Sequence, residues 1–132
     1  MKKLQFLLLA LCALFFATCS KKADSSIGVV KDYLEYIKAG NYEKAVKCFH
    51  FKEETTETQL KGLAAKLEQG YNKDGKLLKY EIISEEIEKD EAGNALSGKV
   101  IVKLFYENDR EEEETINTVK ENGEWKIDFS VK

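Results

Sequence analysis

Few side chains in this sequence have a spacing that suggests acid–base or nucleophilic chemistry. His50 is the single histidine, which leaves no histidine pair and none of the usual zinc sets. Because it lies between Phe49 and Phe51 at a predicted helix end, we interpret it as a structural residue rather than a general base. Asp32 and Tyr33 come nearest to an acid–base pair, but adjacent residues on a helix diverge by about 100°. These two side chains are not expected to face one substrate, and the sequence predicts no catalytic residue.

A run of four glutamates, Glu111 to Glu114, is the other group that could hold an ion. It lacks the Asp, Asn and Gly spacing with which a calcium loop wraps its ion. In a strand, successive side chains point to opposite faces, so at most two of the four carboxylates converge. We therefore expect a solvated strand edge that discourages pairing with other strands. The sequence predicts no metal site and no cofactor.

Cys19 is the one residue with a predicted covalent chemistry. Lys2 and Lys3 precede an apolar run from Leu4 to Ala17, which is shorter than the ~20 residues that a membrane-spanning helix needs. This is the layout of a secretory signal. Residues 16–19, Phe-Ala-Thr-Cys, resemble the lipobox of bacterial lipoproteins, in which the cysteine is acylated and becomes the new N-terminus. An ordinary cleaved signal peptide and a retained membrane anchor are the alternatives.

This resemblance divides the chain into a lipoprotein signal peptide (1–18), a lipidated tether (19–26) and a single α+β domain (27–132). It implies a membrane anchor through Cys19, and Ser20 favours the outer membrane, facing the periplasm. Cys12 would leave with the signal, so Cys48 would be the only other thiol and no internal disulfide is expected. We interpret Cys48 as a small buried apolar residue.

The net charge argues against one class of function. The chain carries −3, and loss of Lys2 and Lys3 with the signal would leave −5. A negative domain lacks the electrostatic attraction to phosphates on which nucleic-acid binding depends. The mature chain is long enough for one domain with a single core. We therefore expect no nucleic-acid partner.

Apolar residues three and four positions apart predict three helices ahead of the strands. The first begins at Ser25 or Ser26 and ends at Gly40, and a capping box of Thr56 and Gln59 begins the third. The apolar faces are Ile27, Val30, Leu34 and Ile37 in the first helix, Tyr42, Ala45, Val46 and Phe49 in the second, and Leu60, Leu63, Ala64 and Leu67 in the third.

Four strands are predicted after the helices. The first covers Leu77 to Ile87, the second has Val100, Val102, Leu104 and Tyr106 on one face, the third covers Glu111 to Lys120, and the last has Trp125, Ile127, Phe129 and Val131 inward.

The turn Asn122-Gly123 is the strongest hairpin signal in the chain. A two-residue type I′ turn would place Trp125 opposite Lys120, and a three-residue loop with Gly123 as a bulge would place it opposite Val119. Pairing of apolar side chains favours the second register.

Helices followed by an antiparallel meander give an α+β order in which the helices pack on one face of the sheet. Residues 29–34, 40–45 and 122–127 are similar to those of the nuclear-transport-factor-2-like superfamily, and more narrowly of its small bacterial lipoproteins grouped as domain of unknown function 4878. The resemblance implies three N-terminal helices packed on a curved, four-stranded antiparallel sheet, a nuclear-transport-factor-2-like or cystatin-like cone with an internal cavity. It implies no activity, because members of the narrow group have none assigned.

Aromatic residues are the candidates for lining that cavity. Rings with hydroxyl groups among them suit a small apolar ligand, although they could equally fill the core. The predicted lining residues are Tyr33, Phe49, Tyr80, Trp125 and Phe129.

Ile101 and Phe105 point to the sheet face away from the helices, where a monomer does not bury them easily. An apolar patch of this kind predicts a homodimer or a protein partner on the sheet face.

Together these features predict a non-catalytic, membrane-anchored envelope lipoprotein that binds a small apolar ligand or a partner protein. The alternative is an isomerase- or hydrolase-like enzyme that uses the cavity as its active site. Ketosteroid isomerases of the superfamily combine a carboxylate base with a tyrosine that stabilises an oxyanion. A carboxylate with a raised pKa beside a tyrosine hydroxyl would therefore favour the enzyme.

Overall fold

A computed structural model describes residues 24–73 and 75–129. The predicted signal peptide, Cys19, the tether up to residue 23 and Val131 lie outside the described residues. Within these residues, three α-helices and five strands follow in the order α1 (Ser26–Ala39), α2 (Tyr42–Val46), β1 (Phe49–His50), α3 (Glu57–Asn72), β2 (Leu77–Lys89), β3 (Ala95–Tyr106), β4 (Glu111–Glu121) and β5 (Glu124–Asp128), with a short 3-10 helix (Glu107–Asp109) between β3 and β4. Among these described helices, none is both long and apolar enough to cross a bilayer.

The helices begin and end where the sequence supplies caps. The Ser25 hydroxyl accepts a hydrogen bond from the Gly28 N–H at the start of α1, and Gly40 ends the helix with a φ of 76°. This left-handed conformation suits glycine because it has no Cβ. Thr56 and Gln59 form the predicted capping box of α3. The predicted helix starts are confirmed, with Ser25 rather than Ser26 as the cap.

The sheet has five strands in the order β1-β5-β4-β3-β2, and four of them are antiparallel as predicted. The prediction of a purely antiparallel, four-stranded sheet is wrong, because β1 pairs in parallel with β5. Phe49 lies beside Ile127 and His50 beside Asp128. His50 therefore lies in a strand and not at a helix end, and Phe49 is not part of the face of α2. A strand of two residues has no period that a sequence pattern could reveal.

The core lies between α1 and the inner face of the sheet. Val100, Val102, Leu104 and Tyr106 are buried and alternate with the half-buried Ile101, Lys103 and Phe105, as the predicted facing of β3 requires. The centre of the interior is filled by side chains that are completely excluded from water: Val30, Leu34, Ala45, Val100, Val102 and Leu104.

The β4–β5 hairpin has the register that we did not favour. Trp125 lies opposite Lys120, and the turn has two residues, with φ 53° at Asn122 and 76° at Gly123. Two successive positive φ angles define the type I′ turn, whose twist matches that of the strands it joins. The prediction of a three-residue loop is therefore wrong. The Lys120 ammonium lies 6.0 Å from the centre of the Trp125 ring, so this pair is also a favourable contact.

Candidate functional site

Five aromatic side chains from four parts of the chain form a continuous series of ring contacts. The Tyr71 and Tyr33 ring centroids are 6.3 Å apart, those of Tyr33 and Phe49 5.5 Å, and those of Phe49 and Phe129 5.2 Å. Phe51 lies 5.9 Å from Phe129, edge to face. We call these five residues the aromatic row. Such contacts stabilise a cluster beyond the burial of apolar area alone.

The secondary structure explains how the aromatic row is assembled. Tyr33 lies on the buried face of α1, and Tyr71 lies in the last turn of α3. Phe49 is held by the parallel pairing of β1 with β5, and Phe129 follows β5 directly. The short strand β1 is therefore the element that brings the two ends of the row together.

The phenylalanine end of the row opens into a groove of about 610 Å³. Phe51, Leu63 and Phe129 supply its apolar surface, and Lys52 and Lys66 also line it. Phe129 is 48% exposed even though its ring stacks on Phe49 with an interplanar angle of 17°. A groove of this volume is within the range of small-molecule sites. We call it the aromatic groove.

The five predicted cavity residues do not share one site. Tyr33, Phe49 and Phe129 lie together in the aromatic row. Tyr80 lies on β2, where its hydroxyl donates a hydrogen bond of 2.8 Å to the Glu35 carboxylate. Trp125 is 4% exposed and belongs to the core cluster. Phe129 was expected to point inward from the last strand, but it lies just beyond β5 and is largely exposed.

The tyrosine end of the row is polar. The Tyr33 and Tyr71 hydroxyl oxygens are 3.1 Å apart and share a hydrogen bond. Burial raises the pKa of both phenols well above the ordinary value of about 10. Both hydroxyl groups are therefore neutral at physiological pH. Once one has donated to the other, the second keeps a proton that it can donate to a ligand.

Two of the four consecutive glutamates lie on the inner face of the sheet, the face that α1 covers. Glu112 lies opposite Leu104 and Glu114 opposite Val102, so both side chains are on the inner face of the sheet. Loss of hydration, followed by repulsion from Glu112, raises the pKa of the Glu114 carboxyl. Glu114 as a residue is exposed, so the raised pKa reflects the atoms packed around its carboxyl group and not enclosure of the side chain.

Tyr106 and Arg110 complete the polar end. The Arg110 guanidinium lies 3.8 Å from the centre of the Tyr106 ring and forms a salt bridge with Glu112. Burial, with the charges of Glu114 and Glu112 next in size, raises the pKa of Tyr106 to about 12. We call the group the polar cluster, which consists of Tyr33, Tyr71, Tyr106, Arg110, Glu112 and Glu114.

Sequence reasoning missed the carboxylate that approaches the tyrosines. Asp32 is exposed while its neighbour Tyr33 is buried, so these two side chains diverge as expected. His50 contacts Glu121, with 3.3 Å between Nε2 and Oε2. The sequence does indicate on which face of β4 Glu114 lies. Side chains two residues apart in a strand point to the same face, so Glu114 shares the face of the inward Ile116 and Thr118. The enzymatic alternative stays a prediction. The carboxyl groups of Glu114 and Asp32 both have a raised pKa, but both residues are exposed, whereas the predicted active site requires a carboxylate inside the cavity.

The polar cluster does not form a metal site on its own. In residues 24–73 and 75–129, no three His, Cys, Asp or Glu side chains converge as metal ligands. The four glutamates divide between the two faces of β4, as predicted, since Glu111 and Glu113 lie opposite the outward Phe105 and Lys103.

Comparisons with known proteins identify a protein family and solved structures of similar fold. The family model described as Domain of unknown function (DUF4878) matches residues 18–128. A crystal structure from Campylobacter jejuni, described provisionally as an NTF2-like transpeptidase, matches with a TM-score of 0.54 and 14% identity, over 74% of this chain and 92% of that chain. At 14% identity, this similarity shows that the two chains share a fold and nothing more. No curated protein matches the chain in sequence.

Proposed function

The chain belongs to the DUF4878 family and has an NTF2-like α+β fold, and on this basis we propose that it is a non-catalytic lipoprotein of the bacterial cell envelope that binds a small apolar ligand. The binding site in this proposal is the aromatic groove. The anchor is an acylated Cys19, which holds the domain at the outer membrane, facing the periplasm.

The observation that carries the proposal is the exposure of Phe129. A large aromatic side chain at a domain end is normally covered, because its contact with water is unfavourable by about 25 cal/mol for each Å². Phe129 remains 48% exposed, and it does so inside a groove whose other apolar walls are Phe51 and Leu63. A ligand with an apolar body would cover this surface.

The anchor is supported by the charged, apolar and cysteine-containing segments at the start of the chain. Helix α1 begins at Ser26, so only residues 20–25 separate the folded domain from Cys19. Six residues span at most about 20 Å. Acylation with two or more chains would therefore hold the domain, and with it the groove, next to the bilayer.

A neutral lipophilic dye tests the binding proposal. N-phenyl-1-naphthylamine, which fluoresces strongly only in an apolar environment, should bind the full chain, and Phe129→Ser should weaken binding about tenfold through loss of buried ring area. Leu78→Ser is the matched control, because Leu78 on β2 is a large exposed apolar residue outside the groove. No dye binding to the unaltered chain, or an equal loss in both variants, contradicts the proposal. If the dye binds as expected, native mass spectrometry of protein purified from its own host would identify the natural ligand.

A fractionation experiment tests the anchor separately. We expect the Cys19→Ser chain to leave the membrane fraction when processed, because it has no thiol to acylate. If the variant is processed and stays in that fraction as completely as the unaltered chain, the lipid anchor is contradicted. The groove proposal does not depend on this result.

A protein partner is a second element of the proposal, and the outer face of the sheet is its location. Ile101 and Phe105 point outward from β3, and Ile83 on the neighbouring β2 is 51% exposed. The partner that fits best is a second copy of the chain, since such a face can bury the same apolar residues on both sides of a two-fold axis.

A further inference from the structure

A second cavity, with a volume of about 530 Å³, adjoins the aromatic groove. Four residues line both cavities: His50, Phe51, Glu53 and Thr55. They belong to the end of β1 and to the segment that joins it to α3, so this segment is a wall common to the two cavities. We call the second cavity the histidine groove. A ligand long enough to cross the common wall contacts both grooves.

We propose that the ligand is an amphiphile with an uncharged head group that carries several hydroxyl groups, as an alkyl glycoside does. Its apolar chain lies in the aromatic groove, and its head group lies in the histidine groove. This inference rests on the proposed function, because the aromatic groove must first hold the apolar chain. It adds the chemical class of the head group and the residues that bind it.

The first support is the charge of the two grooves. Their walls together contain four lysines and four glutamates: Lys47, Lys52, Lys66 and Lys126, and Glu53, Glu54, Glu121 and Glu124. With the histidine counted as neutral, these formal charges cancel. A ligand with a net charge would lose hydration on entering and would find no excess of the opposite charge in return. The balance therefore favours an uncharged head group.

The second support is that charged groups of the histidine groove already contact one another. The Lys126 ammonium lies 2.9 Å from the Glu124 carboxylate and donates a hydrogen bond of 3.0 Å to the Lys47 carbonyl. His50 Nε2 lies 3.3 Å from Glu121 Oε2. A charged or zwitterionic head group would have to compete with these contacts, whereas hydroxyl groups can bind around them.

The third support is that donors and acceptors for a ligand remain in this groove. Lys126 uses two of the three ammonium protons in the contacts just described, and a carboxylate such as that of Glu121 has about four acceptor positions. The Asn122 amide supplies both a donor and an acceptor. The Glu121 side chain is 55% exposed and that of Lys126 30%, so a ligand can reach them. Because a hydroxyl group both donates and accepts, a head group with several of them matches this wall.

The test compares probes that share one apolar chain in their binding to the full chain. Octyl glucoside, 1-octanol, octyl sulfate, octyltrimethylammonium and octylphosphocholine compete with N-phenyl-1-naphthylamine, whose displacement measures binding in the aromatic groove. We expect octyl glucoside to bind at least about tenfold more tightly than 1-octanol, because its additional hydroxyl groups form hydrogen bonds in the histidine groove. It should also bind more tightly than the charged and zwitterionic probes.

The single histidine locates the head group. With ¹³C-labelled histidine, His50 is the only labelled ring, and nuclear Overhauser effects report which ligand protons lie close to it. We expect such effects from the glucose protons of octyl glucoside. A His50 ring that contacts octyl protons alone would overturn the inference. This measurement on the unaltered chain does not depend on the folding of any variant.

Two variants identify the wall that binds the head group. Glu121→Ala should weaken octyl glucoside binding about fivefold and leave 1-octanol binding unchanged within about twofold, since only the glucoside reaches this carboxylate. Glu113→Ala is the matched control, because it removes the same charge from an exposed position on the same strand, outside both grooves. It should change neither affinity.

The outcomes separate this inference from the proposed function. If no probe displaces the dye, the aromatic groove does not hold the apolar chain and both proposals fail. If octyl glucoside and 1-octanol bind equally well, the proposed function stands and the inference about the head group is overturned. Tighter binding of a charged or zwitterionic probe, or equal losses in Glu121→Ala and Glu113→Ala, would overturn it as well.

Discussion

The hydroxyl oxygens of Ser26 and Thr118 lie 2.6 Å apart and share a hydrogen bond in the interior of the domain. Each residue is only 1% exposed, and the bond joins the first turn of α1 to β4. Gly98 on β3 makes the contact possible, because a Cβ at this position would lie 2.7 Å from Ser26 Oγ and 2.8 Å from Thr118 Oγ1. The Ser26–Thr118 hydrogen bond, and the space left by Gly98, therefore determine how closely the start of α1 packs on the sheet.

Substitution of Gly98 tests this arrangement. In Gly98→Ala the two hydroxyl groups must move apart, which strains the packing and breaks a buried hydrogen bond. We expect the free energy of unfolding to fall by about 2–4 kcal/mol, measured by urea denaturation. Gly62→Ala is the matched control, because the added Cβ would have no atom within 4 Å apart from its chain neighbours and the backbone of its own helix. It should stabilise α3 by about 0.5–1 kcal/mol. Equal losses in both variants would show that Gly98 has no special role.

The pH dependence of stability tests the environment of Glu114. Its pKa is raised in the folded state, so the folded chain binds this proton more tightly than the unfolded chain does. The contribution to stability is therefore complete below the ordinary carboxyl pKa of about 4.3 and is lost as the pH rises through the raised value. Glu114→Gln should raise the melting temperature relative to the unaltered chain at pH 7 and have little effect at pH 3.

The outward Glu113 again provides the comparison for this experiment. Glu113→Gln makes the same change in net charge on the opposite face of β4. A stabilisation by Glu114→Gln that is independent of pH, or one that Glu113→Gln reproduces, would mean that the Glu114 carboxyl is not desolvated.

Local patterns were sufficient for the parts of the fold that depend on neighbours in sequence. The period of Val30, Leu34 and Ile37 predicted the buried face of α1, and the alternation in β3 predicted which side chains face the core. The features that the sequence did not reveal depend on distant contacts. Thr118 is polar and inward because Ser26 reaches it, and β1 exists because β5 lies beside it.

The hairpin register and the environment of Glu114 show two limits of predictions made from neighbouring residues. Pairing of apolar residues favoured Val119 as the neighbour of Trp125, but the turn conformation at Asn122 and Gly123 decides the register. The alternation of β4 puts Glu114 on the same face as Ile116 and Thr118, but this face was not predicted from the sequence. The loss of hydration at its carboxyl group depends on its distant neighbours in the fold, which no strand pattern contains.

Cys48 should be an unreactive thiol in the folded chain. It is half-buried, and burial, followed by the nearby charge of Asp32, raises its pKa to about 11. Because the thiolate is the nucleophile, alkylation by iodoacetamide at pH 8 should be roughly a hundredfold slower in the folded chain than in urea. The measurement follows mass over time in a Cys12→Ser, Cys19→Ser chain, where Cys48 is the remaining thiol. Equal rates in the two conditions would contradict a shielded thiol.

Association through the outer face of the sheet should be weak. The Lys79 and Lys103 ammonium groups lie 4.5 Å and 5.3 Å from the centre of the Phe105 ring. These charges reduce the apolar area that a second copy can bury. We expect a dissociation constant above roughly 10 μM, as small interfaces give. Sedimentation velocity of the Cys19→Ser chain over a concentration series measures it. In that background Ile101→Lys should stay monomeric throughout, whereas Leu96→Lys, at an exposed apolar position earlier in β3, should still associate. A parent chain that is monomeric at the highest concentration, or equal effects of the two substitutions, would rule out this face as the dimer interface.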